Sequence, residues 1–197
     1  MTAPLIWWVR RDLRLSDNAA LVLAAGQGRP VVPVFILDDV LGACGPAPLW
    51  RLGLGVAEFA AALERLGTRL ILRRGEALAV LEAMIAETGA EGVVWNRAYD
   101  AGSITRDTAV KAALKARGLR AESCPGSLLI EPWQVATKTG GAFKVYTPFW
   151  RAVAAQDIPA PLAAPSRLAT PEVWPESDRL EDWALGQAMR RGADIVR

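Results

Sequence analysis

Leu5-Ile6-Trp7-Trp8-Val9, followed at once by Arg10-Arg11-Asp12-Leu13-Arg14-Leu15-Ser16-Asp17-Asn18, is the stretch that decides the fold. Five successive apolar residues, short and apolar on both strand faces, are what a parallel strand covered on each side requires. A charged turn comes next. Ala19–Ala25 then reads as a helix that Ser16 or Asp17 can cap and that Gly26 or Gly28 can end.

The same alternation runs outward from this unit. Val31–Leu37 is the second strand, with Pro33 acceptable only near its start because proline cannot donate to a ladder. A helix over 49–66 stops at Gly67, a strand covers 69–72, and a helix over 76–88 closes at Gly89. Residues 92–95 form the fourth strand, 104–117 the next helix with Gly118 as its stop, and 119–123 the fifth strand. Strands alternating with helices predict an α/β fold, a doubly wound parallel sheet of five strands.

After Cys124 the pattern changes. Segments 127–133 and 137–146 read as loop or extended chain, and Thr147-Pro148 opens a short helix. Pro159, Pro161, Pro165, Pro171 and Pro175, spaced by Ala and Ser, then predict a semi-extended linker with no core of its own. Leu180, Trp183, Ala184 and Ala188 share one helical face, but a lone helix containing Gly186 does not fold by itself. The division predicted is a domain over 1–151 and a linker with tail over 152–197.

Composition narrows the chemistry. Of 197 residues, 52% are hydrophobic and 22% charged, as in globular proteins. A net charge of +2 gives no electrostatic case for a nucleic-acid partner, so little direct binding is expected. Histidine is absent, which removes Ser-His and Cys-His nucleophile pairs and the commonest metal ligand. Cys44 and Cys124 have no metal or disulfide spacing and are read as reduced, partly buried thiols. No apolar run approaches the roughly 18–20 residues that span a bilayer, and Met1-Thr2-Ala3-Pro4 opens no secretory signal. A cytoplasmic location without membrane contact is expected.

Ligands of open α/β sheets sit beyond the carboxyl ends of the strands, where strand order reverses. The turn 10–18 and the segment Val94-Trp95-Asn96-Arg97-Ala98-Tyr99-Asp100 both leave strands at that edge. Trp95 and Asn96 are suited to stacking on and hydrogen-bonding a planar ligand, with Trp95 as a plain core residue the alternative. Gly53-Leu54-Gly55 lacks the third glycine and the preceding strand of a dinucleotide fingerprint. The eight tryptophans are read as packing residues.

The run Trp8–Asn18 closely resembles the signature opening of the photolyase/cryptochrome family. Residues 94–100 with Arg106-Asp107, and Lys144-Val145-Tyr146-Thr147-Pro148-Phe149-Trp150-Arg151, resemble later family segments in the same order. The resemblance implies strand order 3-2-1-4-5 and the amino-terminal antenna domain of a deoxyribodipyrimidine photolyase. It also implies that Tyr146 and Phe149 pack while Pro148 begins a helix. In such enzymes reduced FAD splits pyrimidine dimers under light, and the FAD pocket and DNA groove lie in a following helical domain. Residues 1–197 hold nothing that corresponds to that domain, so FAD is expected only in the full-length relative, damaged DNA would be met through the domain missing here, and no repair is expected from this chain alone.

An antenna chromophore is the activity that remains. Folate-using members carry an Asn-Glu pair where this chain has Gly102 and Ser103, so a deazaflavin or flavin is expected over a folate. The resemblance assigns its cleft to Arg10, Arg11, Phe35, Leu37, Asp38, Trp95, Asn96 and Asp100. Residues 177–183 still resemble the family's linker. Residues 185–197 do not, which suggests a frameshift or shortened gene. Faces that relatives cover would be open, so self-association is expected. A cryptochrome-type signalling module and a free-standing nucleotide-binding α/β protein are the competing readings.

Overall fold

The computed structural model describes residues 2–137, 140–189 and 192. Five parallel strands, β1 (Leu5–Val9), β2 (Val31–Leu37), β3 (Ile71–Arg74), β4 (Gly92–Asn96) and β5 (Arg120–Cys124), lie in the order β3-β2-β1-β4-β5. Helices α1 (Ala19–Ala25), α2 (Asp39–Gly42), α3 (Pro46–Arg65), α4 (Ala77–Thr88) and α5 (Ala101–Ala116) are threaded between them, and α6 (Tyr146–Ala154) follows β5. The α/β fold is the one read from the sequence, and the strand order is the one the resemblance implies. No helix among the described residues is long and apolar enough to cross a membrane.

Strand alternation sorts the core into two layers. Leu5, Trp7, Val9 and Phe35 face one side with Leu21, Val56, Phe59 and Leu63. Ile6, Trp8, Val34, Ile36 and Trp95 face the other with Leu81, Met84, Val110 and Leu114. Both layers are dry, which is why β1 had to be apolar throughout.

Four of the helix starts carry side-chain caps. Asn18, rather than Ser16 or Asp17, accepts the Leu21 N–H at the head of α1. Asp17 has a left-handed φ of 50°, and Ser16 lies one residue further out. Asp38 caps α2, Glu76 caps α4 and Asp100 caps α5. The helix expected over 49–66 begins earlier, because Pro46 supplies a first-turn residue that needs no N–H partner.

Pro33 sits third in β2, deeper than expected, and the ladder tolerates it for a reason visible in the register. The Val31 N–H donates outward to Ala169 C=O at 2.9 Å. By the two-residue alternation the Pro33 nitrogen faces the same edge, and β3 begins only opposite Val34.

Ala169 belongs to the proline-rich segment, which is extended as expected yet anchored along its length. Asp17 N–H donates to Leu162 C=O at 2.7 Å, and Asp178 N–H donates to Leu72 C=O at 2.8 Å. Leu72 N–H donates to Ser177 Oγ, and Leu168 and Trp183 are buried in the first core layer. The strap therefore covers β3, the sheet edge that would otherwise present unpaired backbone groups. Where Leu180, Trp183, Ala184 and Ala188 could share a helical face that would not fold alone, two short 3-10 turns form, Leu180–Trp183 and Gln187–Met189. Gly186 approaches Trp50 so closely that a Cβ there would lie 2.9 Å from the indole. Of the tail 185–197, residues 190–191 and 193–197 lie outside the described residues.

Candidate functional site

Strand order reverses between β1 and β4, which pair in parallel from Leu5↔Gly92 to Trp7↔Val94. Their carboxyl ends open into a cleft of about 350 Å³. Arg10, Arg11, Asn96 and Asp100 line it, as expected, joined by Asp12, Arg14, Arg97, Tyr99 and Arg106.

Asn96, 2% exposed, ties the floor together. Its Oδ1 accepts the Ala20 N–H at 2.9 Å, while Nδ2 donates to Asp12 Oδ2 at 2.5 Å and Asn18 Oδ1 at 2.8 Å. Asp12 Oδ1 in turn accepts the Arg10 N–H. One amide thus locks the turn after β1 to the start of α1 and the end of β4.

Above this floor runs a buried chain of alternating charge. Arg10 Nη1 donates to Asp107 Oδ2 at 2.5 Å, Asp107 Oδ1 accepts from Arg106, and Arg106 Nη1 donates to Asp38 Oδ2 at 2.6 Å. Both guanidiniums lie over the Trp8 ring, 5.0 and 4.8 Å from its centroid. Burial pulls the Arg10 pKa below its ordinary value, and Asp107 only partly opposes that pull. An arginine still stays charged. Arg10 Nη2 is buried without a hydrogen-bond partner.

The cleft mouth is wetter. Arg11 pairs with Asp100, whose Oδ1 accepts the Ser103 N–H at 3.0 Å. Partial burial opposes ionisation of Asp100, but hydrogen bonds from Ser103 and Arg11 together outweigh it and hold the pKa at about 2. Opposite, Glu131 Oε1 accepts from Arg97 Nε and Nη2 and from Tyr99 Oη, while Tyr99 Oη accepts the Gly126 N–H. Burial pushes the Tyr99 hydroxyl up.

The other four expected residues stand elsewhere. Phe35 is fully buried on the first core layer, 6.0 Å from the Trp183 ring, because the strap covers that face of β2. Leu37 packs on the same layer. Trp95 is 1% exposed and meets Trp8 at 5.8 Å, so strand parity turns its ring into the second layer and away from this cleft. Asp38 is consumed by capping α2 and pairing with Arg106. The residues expected from the sequence left out Asp12, Arg14, Arg97, Tyr99 and Arg106, which line the cleft, and Glu131, which braces Arg97 and Tyr99 from outside it. Arg14 was in view within the β1 turn, whereas Glu131 carries no local signal.

Cys124 is buried and Cys44 partly so; both are free, and burial pushes the Cys124 thiol up, which makes it a poor nucleophile. Among the described residues no group of three or more acidic or Cys side chains is placed to hold a metal ion. The cleft offers preorganised donors and a charged rim, an arrangement for holding a polar or anionic ligand.

Known proteins of one kind share this architecture. The DNA photolyase family model matches residues 5–166. A deoxyribodipyrimidine photo-lyase of Agrobacterium fabrum is 47% identical over 185 residues, 93% of this chain and 39% of its own length. Cryptochrome-1 of Arabidopsis thaliana is 34% identical, with 85% of this chain and 25% of its own length covered. The crystal structure of a bacterial class III photolyase from Agrobacterium tumefaciens superposes with a TM-score of 0.92 at 44% identity, covering 99% of this chain and 42% of that one. This chain therefore spans about two fifths of the photolyases it matches. On a match over 162 of its residues (5 through 166), the chain belongs to the DNA photolyase family.

Proposed function

We propose that this chain is the antenna module of a deoxyribodipyrimidine photolyase and that the cleft between the ends of β1 and β4 receives a light-harvesting pigment. The observation that carries the reading is the cleft itself: a pigment-sized opening at the switch point, with a floor fixed by Asn96 and a cationic rim fixed by Arg11. Arg11 and Arg14 are exposed enough to meet phosphate or phenolate oxygens, and Tyr99 offers a ring edge.

Gly102 and Ser103 favour a deazaflavin or flavin over a folate. They occupy the first turn of α5, Ser103 is 2% exposed, and neither presents a carboxylate to a pterin. Dimer splitting in damaged DNA belongs to the whole enzyme with its reduced FAD, and a cytoplasmic location accords with that substrate. This chain, mixed with dimer-containing DNA and reduced FAD under blue light, is expected to leave the dimers intact.

Titration with an 8-hydroxy-5-deazaflavin, FMN and methenyltetrahydrofolate, followed by difference absorbance, tests the pigment reading. Saturable binding of one of the first two, weakened about tenfold or more by Arg11→Ala, is expected. Binding of none of the three would end the proposal, and binding of the folate alone would reverse the ranking.

A further inference from the structure

We propose that the outer seam of α3 is a docking groove for a helix of a partner protein, one whose contacting face carries acidic, basic and acidic residues at seven-residue intervals. The seam runs through Arg51, Gly55, Glu58, Ala62 and Arg65, the alternating steps of four and three by which one helix lies along another. Together with Leu13 and Leu15 of the turn after β1 and Ala164 of the strap, it encloses a groove of about 590 Å³. The groove shares only Arg14 with the switch-point cleft, so it stands whether or not a pigment binds there.

Small residues give the groove its depth. Glycine inside a helix weakens it, and Gly55 is where Leu13 closes on α3: a Cβ there would lie 3.0 Å from Leu13 Cδ1. Ala62, one heptad on, keeps the trough low. Phe59 supplies a buried floor and Leu54, 41% exposed, an apolar lip. Apolar floors flanked by charge are what an amphipathic helix lies into.

The charges select the occupant. On a helix, a charged side chain meets its partner three or four residues away. Around Arg51, Glu58 and Arg65 those positions within α3 hold Ala47, Pro48, Leu54, Gly55, Ala61 and Ala62, none of them charged. All three side chains are exposed, and none has an ion pair or a side-chain hydrogen bond among the described residues. Seven residues separate them by about 10 Å along the axis, too far to serve one another. A second copy laid over the whole seam, parallel or antiparallel, would set Glu58 against Glu58 and arginine against arginine, which repel. A shorter overlap that pairs Arg with Glu leaves one arginine outside it. A uniformly anionic membrane would meet Glu58 at the middle of the seam. A helix with the inverse pattern pairs all three charges at once.

Fluorescence anisotropy of the full chain with a labelled helical peptide tests the assignment. The probe spans about three heptads, has an Ala- and Leu-rich face, and carries Glu, Lys and Glu at seven-residue intervals. Saturable binding is expected, with the Lys-Glu-Lys peptide weaker by about tenfold or more. In the triple variant Arg51→Glu, Glu58→Arg, Arg65→Glu the preference is expected to reverse, a gain that a misfolded chain does not show. Ala62→Trp, which fills the trough, is expected to lose both peptides. No saturable binding to the wild type, equal binding of the two peptides, or an unreversed preference in the triple variant would each overturn the proposal. Dimerisation, or sedimentation with phosphatidylglycerol vesicles, that Ala62→Trp abolishes would overturn it too, by giving the groove to a second copy or to a membrane.

Discussion

The two sides of this molecule solve opposite problems. At the switch-point cleft four ionised side chains, Arg10, Asp107, Arg106 and Asp38, are 3–13% exposed and neutralise one another in series over Trp8. Around α6 the charges are few and the aromatic rings lie open: Tyr146 is 70% exposed and Trp150 51%. Tyr146, expected to pack into the domain, stacks instead on Trp150, while Phe149 meets the rings of Tyr146 and Phe143. In the first region the charges are paired within this chain. The second is a surface shaped by apolar area that nothing here covers, and the difference separates residues that hold the fold from residues that offer it to something else.

The sharpest way to break that contrast is to cut out the platform both guanidiniums share. Trp8→Ala removes a fully buried ring from the second core layer and from beneath Arg10 and Arg106. A loss of about 3–5 kcal/mol in urea unfolding is expected. A loss below about 1 kcal/mol would mean that the charge chain, not the core, carries this region. Asp107→Asn probes the chain itself: it leaves Arg10 buried beside Arg106 with a neutral partner, and about 3 kcal/mol is expected, with little dependence on salt because both partners are shielded.

The cleft mouth should respond far less. Asp100 has its pKa lowered to about 2, so its contribution is complete above about pH 4 and fades as pH falls through 2. Its side chain is 42% exposed, so solvent screening limits the effect to under about 1 kcal/mol. Denaturant midpoints at pH 5 and pH 2.5 should diverge slightly more for the wild type than for Asp100→Asn, which keeps the cap without the titrating charge. Equal divergence would remove Asp100 from the pH account.

Much of this was legible in the sequence because the physics was local. A run of five apolar residues closed by a charged turn fits a covered strand, and glycines at 26, 67, 89 and 118 end helices or the turns after them where expected. The cleft was legible through topology, which brings the turn after β1 beside the end of β4. What escaped was parity and long-range pairing. Trp95 stands one residue before Asn96, which lines the cleft, and a shift of one residue exchanges ligand for core. Glu131 meets Arg97 across 34 positions of sequence, and no periodicity announces such a contact. The strap was read as extended but not as attached, because most of its hydrogen bonds come from backbone groups that any residue carries.

The smallest expected effect on stability comes from the side of the molecule where the largest effect on association lies. Tyr146 and Trp150 stack at 6.4 Å with planes 7° apart, one helical turn from each other on the open face of α6. They contribute little to the folded chain, so Tyr146→Ser with Trp150→Ser should shift unfolding by no more than about 0.5 kcal/mol per site. Exposed rings in one patch favour contact between copies, by burial of apolar area that the monomer leaves wet. Sedimentation of the wild type at rising concentration should therefore show reversible self-association that the double variant lacks. A monomeric wild type under those conditions would show that stacking within α6 already satisfies these rings, and the contrast between a charge-paired cleft and an open helix face would fail at its second term.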